Sequence, residues 1–215
     1  MSRPIVHGVE GSPFLNSTRL ALEEKGVAYE LANMPFGAHK EAAHLSRHPF
    51  GRIPVLEHDG FTLYETQAIL RYVDRAFPGP ALQPSDVRQA ARMDQIMNIH
   101  DWYLFPSMTA GISFQRYVVP QLLGGTADEA KIEAALPQAR LCLSELERLM
   151  NGDSFLAGDR LSLADLIIAG PFAYFALTPE SQEMMKPHPR LGDWWKRMSA
   201  RDSLGRVRPR ERRLQ

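Results

Sequence analysis

The sequence predicts two domains in series: an α/β N-terminal unit over residues 1–77 and an all-α helical domain over 87–215, joined by a linker at 78–86. Three observations carry this. Short apolar runs alternate with helical patterns through the first third of the chain. The stretch FPGPALQPSD, 77–86, sets three prolines and a glycine together and interrupts every periodic pattern. Beyond it only helical spacing recurs, and 215 residues suffice to give each part a core.

Taken in order, IVHGV, 5–9, reads as a strand. Residues 13–25 read as a helix, with Ser12 at the N-cap, Pro13 at the first helical position and Gly26 closing it. Tyr29 to Leu31 sits in a second strand, and the polar segment 37–47 carries a short irregular helix. PVLEHDGFTLYE, 54–65, reads as a hairpin turning at Asp59-Gly60, and Thr66 to Phe77 is helical again. The last two strands are therefore antiparallel. In the second part, a long amphipathic stretch from 87 to about 122 includes Pro106, which is expected to kink or break it. GGTADE is a break, and 127–150 forms another helix. SLADL, 162–166, starts a further one: Ser162 caps it, Asp165 follows three residues on, and Leu161 and Leu166 form a staple. The last helix runs through Trp194 and Trp195 into an arginine-rich tail.

Composition narrows the function classes. With 25 acidic and 25 basic residues the chain has no net charge, so no broad acidic or basic partner is implied. The tail RVRPRERR lacks interleaved aromatics and is expected to be a solvated end, with no nucleic acid partner. No apolar stretch is long enough for a bilayer and the N-terminus has no secretory segment, so no membrane partner and a cytoplasmic location are expected. Cys142 is the single cysteine, spaced with Ala135, Ala139, Leu146 and Leu149 as a buried helical position. Thiol chemistry therefore requires a thiol that the protein does not own. His44 and His48 are four apart, but Pro49 ends any helix there and no third ligand is evident, so no metal is expected.

A proline entering the third strand at Ile53-Pro54 suggests a thioredoxin-like layout. In that layout a cis bond presents the preceding residue's N–H and C=O to an extended peptide, whereas a trans proline would merely begin a strand. Three stretches then become recognisable: GSPFLNSTRLALEEKGVAYEL, AHKEAAHLSRHPFGRIPVLEHDGFTLYETQAILRYV and SFLAGDRLSLADLIIAG. Together they resemble the glutathione S-transferases, closest to the serine-type Phi class and related bacterial members.

That resemblance implies a glutathione transferase fold, with glutathione consumed as a co-substrate. It implies that Ile53 and cis-Pro54 pair with the cysteinyl backbone of glutathione, and that Glu65 and Thr66 take its γ-glutamyl end at a helix N-terminus. His39 and Lys40 match an HK pair that reaches the glycine carboxylate, and Arg52 stands where Phi-like members commonly have Gln. It also selects Ser12 over Ser17 and Thr18 as the catalytic hydroxyl. A hydroxyl can accept a cap bond while donating its proton to a thiolate, so cap and catalyst are compatible. Phe14, Phe36, Tyr103, Phe105, Met108, Ile112, Phe114 and Tyr117 are candidates for an apolar wall beside the sulfur, each competing with an ordinary core role. Phe50 resembles an aromatic key of a homodimer; a buried intrachain phenylalanine is the alternative. The expected activity is conjugation to small hydrophobic electrophiles, as in detoxification. The alternatives are reduction of organic hydroperoxides and a non-catalytic binding module.

Overall fold

A computed structural model describes residues 2–207. Four strands form one mixed sheet: β1 (Ile5–Gly8), β2 (Glu30–Asn33), β3 (Val55–His58) and β4 (Phe61–Tyr64), in the order β2-β1-β3-β4. β1 and β2 run parallel across helix α1 (Pro13–Glu24), while β3 is antiparallel to both β1 and β4. The hairpin turns on Asp59 and Gly60, at φ 49° and 77°, the left-handed pair that a two-residue hairpin needs. Between β2 and β3 lie a 3₁₀ turn (Ala38–Lys40) and the single turn α2 (Ala42–Leu45), as the polar 37–47 segment implied. α3 (Thr66–Ala76) completes the α/β layer.

The helical part begins with α4 (Val87–Ile99), capped by Asp86, whose side chain accepts from Arg88 N and Gln89 N. The same rod continues through His100–Val118 with wide, π-type winding and ends in α5 (Val119–Leu122). Pro106, expected to kink or break the helix, does not break it. The missing proline N–H and the bulk of its ring both conflict with tight α winding, and a wider turn relieves the crowding. α6 (Glu129–Leu149), α7 (Leu163–Phe175), α8 (Pro179–Met185) and α9 (Pro189–Ser199) follow. α9 carries Trp194 and Trp195, but it is not the last helix: α10 (Asp202–Val207) follows it. Arg206, expected in a solvated tail, is instead in α10 and donates to Glu23 on α1 at 2.6 Å. The rest of the tail, 208–215, lies outside the described residues.

α7 is the hinge of the packing. Every residue from Leu163 to Phe175 except Tyr174 is buried, the pattern of a helix enclosed on all sides. Burying each large apolar side chain on such a helix contributes about 1.5–3 kcal/mol. Its start is fixed by the buried Asp165 carboxylate, which accepts from Leu156 N, Ser162 N, Ser162 Oγ and Trp194 Nε1 at 2.8–2.9 Å. α1 lies between the sheet and α7. A Cβ added at Gly8 on β1 would stand 3.0 Å from Leu15 of α1, and one at Gly170 on α7 would stand 2.7 Å from the Pro13 carbonyl. Ser17 Oγ donates to Ile167 O at 3.1 Å across the same contact.

Lys25 ties the linker down. Its buried ammonium donates to the Asp74 carbonyl at 2.9 Å, to Asp74 Oδ1 at 3.1 Å and to the Pro80 carbonyl at 3.0 Å. Asp74 also accepts from Leu82 N and Gln83 Nε2, so the carboxylate binds the end of α3 to the proline-rich segment. No helix among the described residues is long and apolar enough to cross a membrane.

Candidate active site

Strand register brings the sequence-selected residues to one end of the sheet. His7 near the end of β1 faces Val55 at the start of β3, Val55 faces Tyr64 at the end of β4, and Gly8 faces Asn33 at the end of β2. The segments carrying Ser12, Phe36 to Lys40, Ile53-Pro54 and Glu65-Thr66 all leave or enter the sheet at that end.

Ser12 caps α1 with φ −65° and ψ 129°, and its Oγ accepts from Leu15 N at 3.4 Å. Its hydroxyl proton has no protein acceptor among the described residues, so one donor remains available. The rival hydroxyls are spent or enclosed. Ser17 Oγ donates to Pro13 O and Ile167 O, and Thr18 is fully buried.

The Ile53-Pro54 bond is cis. Ile53 lies outside the strands, and its backbone N–H and C=O have no hydrogen-bond partner among the described residues. The preceding segment is held from below: Lys40 Nζ donates to Gly51 O at 2.8 Å, and His44 Nε2 lies 2.7 Å from Arg52 O. Lys40, predicted to reach a ligand carboxylate, therefore uses one of its three donors on the backbone. Arg52 itself is exposed.

Glu65 caps α3 at φ 69° and ψ 115°, a sparsely populated conformation for a residue with a side chain, and makes no side-chain cap bond. The first N–H groups of α3, beginning at Thr66, are consequently unpaired by any cap. Charges converge here. Burial first, then His44, Arg52 and Lys40, hold the His48 imidazole below its ordinary pKa, while Glu65 opposes them. His39 is likewise depressed by burial, then by Lys40 and His44, so it is neutral at pH 7 and offers a hydrogen bond rather than a charge. His48 stacks on Tyr64 with ring centroids 4.4 Å apart. Among the described residues no group of three or more His, Cys, Asp or Glu side chains could hold a metal.

The apolar side is built from α1 and the π-wound rod. Phe14 and Phe105 lie with centroids 4.4 Å apart, both partly exposed, with the buried His100 ring edge-on to Phe14. Phe36 and Tyr103 are about half exposed, at 53% and 54%. Phe114 and Tyr117 are partly exposed. Met108 and Ile112 require correction: both have no accessible surface and belong to the core, backing the wall without facing a ligand. Phe50 is 67% exposed, which removes the buried-phenylalanine alternative.

Sequence reasoning missed three contributors. Gln67 Nε2 donates to Asp101 Oδ2 at 2.7 Å, and Asp101 Oδ1 lies 2.7 Å from His100 Nδ1, linking the start of α3 to the second domain. Tyr174 on α7 donates its hydroxyl to the Gly11 carbonyl, one residue before Ser12. The Gln67–Asp101 and Tyr174–Gly11 bonds had no local signal, since each pairs residues from different domains. A cleft of about 510 Å³ lies elsewhere, between α1 and α10, but Arg201 and Arg206 already match its Glu24 and Glu23.

A four-stranded α/β lobe with a cis proline at its third strand, joined to an all-helical lobe that walls one side of the same sheet end, defines a two-lobed transferase architecture. Comparison with known proteins is specific. Residues 5–75 match the family model "Glutathione S-transferase, N-terminal domain" and 93–202 match "Glutathione S-transferase, C-terminal domain". The chain belongs to the glutathione S-transferase family. It is 33% identical over 206 residues to glutathione S-transferase 4 of Zea mays, covering 94% of this chain and 90% of that one. Glutathione transferase F7 of Populus trichocarpa superposes with a TM-score of 0.86 at 29% identity, covering 95% and 97% of the two chains. Glutathione S-transferase I of maize, solved with an atrazine–glutathione conjugate, superposes at 0.84 with 29% identity and 96% coverage of both.

Proposed function

We propose that the chain is a cytoplasmic, homodimeric glutathione transferase that joins the glutathione sulfur to small hydrophobic electrophiles, a detoxifying conjugation. One observation carries the site assignment. At a single sheet end, a serine hydroxyl, the backbone of Ile53 and the N-terminus of α3 all retain unspent hydrogen-bonding groups. The conjugate held by the maize relative supports the same class of product.

Glutathione fits this donor set piece by piece. Its cysteinyl backbone has one N–H and one C=O to exchange with those of Ile53, beside cis-Pro54. Its γ-glutamyl carboxylate suits the unpaired N–H groups at Thr66 and the positive end of α3, while Glu65 answers the ammonium. Its glycine carboxylate suits His39 and Lys40, with Arg52 adding attraction from the exposed side.

A free thiol has a pKa of about 8.5, so lowering it by two units requires roughly 2.7 kcal/mol of preferential thiolate stabilisation. One hydrogen bond to a charged group contributes about 1.5–3 kcal/mol, and the N-terminus of α1 adds to it. Ser12 therefore suffices as the donor. The thiol proton passes to solvent, and the sulfur lone pair forms the new S–C bond. In displacement the leaving group departs with its electron pair; in addition the electrophile's carbanion takes a proton. Holding both reactants in one cleft, against Phe14, Phe36, Phe105 and Tyr103, supplies proximity. The exposed Phe50 ring is suited to a pocket on a second copy of the chain.

The test is Ser12→Ala with ultraviolet titration of bound glutathione. The thiol pKa is expected to rise by about one to two units while the dissociation constant stays within about twofold. An unaltered titration removes Ser12 from the mechanism.

A further inference from the structure

The Ser12 hydroxyl is only as well aimed as the peptide plane that enters it. That plane joins Gly11 to Ser12 and is rigid, so fixing its two polar ends fixes the direction in which the Ser12 backbone starts. Both ends are held. Ser12 N–H donates to Val9 O at 2.9 Å, and the Gly11 carbonyl accepts from the Tyr174 hydroxyl, which comes from the other domain. We propose that Tyr174 is a positioning residue for the Ser12 hydroxyl, acting through the Gly11 carbonyl, an inference that rests on Ser12 being the thiolate donor.

The surrounding geometry is built for this contact. Gly11 sits at φ 93°, a conformation that side chains rarely adopt, and a Cβ there would come within 3.2 Å of the Tyr174 oxygen. On its other side the loop is pinned by Asn33 at the end of β2, whose Oδ1 accepts from Glu10 N at 2.8 Å. The hydroxyl is delivered by a rigid carrier, because α7 is locked against α1 by the Ser17–Ile167 bond and by the close approach at Gly170. Burial pushes the Tyr174 pKa up to about 12, so the group remains an O–H donor wherever the glutathione thiol titrates. With the bond gone, the plane tilts within its loop and the serine donor loses alignment with the sulfur. A thiolate hydrogen bond weakens steeply with misalignment, whereas the tripeptide's anchors on β3 and α3 are untouched.

Three variants, Tyr174→Phe, Ser12→Ala and the double variant, carry the test, each read by titration of bound glutathione and by steady-state kinetics with a generic aryl halide. Tyr174→Phe is expected to raise the thiol pKa by about half to one unit, and to lower kcat about three- to tenfold at pH 6.5. That loss should shrink above the shifted pKa, with the KM for glutathione within about twofold. Because the tyrosine acts through the serine, the double variant should titrate like Ser12→Ala alone. An unshifted Tyr174→Phe beside a shifted Ser12→Ala overturns the proposal and leaves the serine assignment intact, and so do additive shifts in the double variant. If neither single variant shifts, the serine assignment itself falls. Should Tyr174→Phe unfold early in a thermal scan, Asn33→Ala frees the same loop from its other side. It must then produce the same upward shift, and its failure to do so overturns the proposal.

Discussion

Glu65 is held at a positive φ with no cap bond to recompense it, and such a backbone costs on the order of 1–3 kcal/mol. On the proposed reading that cost is met by the contact of its side chain with the ligand ammonium. Glu65→Gly should therefore split two properties: denaturant stability rises by about 1 kcal/mol, while the dissociation constant for glutathione rises about tenfold or more. Parallel urea titration and calorimetry check it, and a variant that gained neither stability nor a weaker ligand would refute both halves. At this scale the sequence told part of the story. Ser12 was legible because Ser-Pro before a helical run is a local cap signal, and Glu65 and Thr66 because they sit where a hairpin becomes a helix. The unspent proton of Ser12 was not legible. Nor were Met108 and Ile112, apolar residues at helical spacing that only the fold could assign to core rather than wall.

Helices α1 and α7 meet so closely that one methyl group decides the contact. An added Cβ at Gly170 would stand 2.5 Å from Ser17 Oγ and 2.7 Å from Pro13 O, the second a backbone atom with little freedom to yield. Gly170→Ala is expected to destabilise the protein by about 1–3 kcal/mol despite the better helix propensity of alanine. It should also raise the thiol pKa of bound glutathione, since Pro13 adjoins Ser12. A neutral or stabilising result would show that the two helices slide past each other freely. Most elements were readable from local chemistry: the turn at Asp59-Gly60, the caps at Ser12 and Ser162, and Gly26 after α1. The winding of His100–Val118 was not, because Pro106 marks a disturbance without saying whether the chain meets it with a break or with wider turns. α10 was missed because six residues make a helix only by docking, here through Ser203 on Glu24 and Arg206 on Glu23 of α1.

The molecule as a whole carries a defined acid sensitivity. Burial holds His39, His48 and His188 below the ordinary imidazole value of 6.5, so all three are neutral at pH 7. The unfolded chain protonates them first on acidification and thus binds more protons, so stability falls as the pH drops below 6.5. A second loss follows further down. Burial raises the pKa values of Glu24 and Glu147, but hydrogen bonds outweigh it, from Arg201 and Ser203 for Glu24 and from Leu191 and Arg190 for Glu147. Their stabilisation, present above the usual carboxylate value of 4.5, disappears as they protonate below it. Urea midpoints should be level between pH 7 and 8 and decline in two stages toward pH 4. A midpoint that climbed between pH 7 and 5.5 would contradict this.

The prolines at 78, 80 and 84 mark a linker in the sequence, and the Lys25 ammonium grips that linker and the end of α3 at once. These bonds take freedom from the segment between the lobes, so on the proposed reading a bulkier guest is better admitted by exchanging rings such as Phe36 and Tyr103 than by moving the joint.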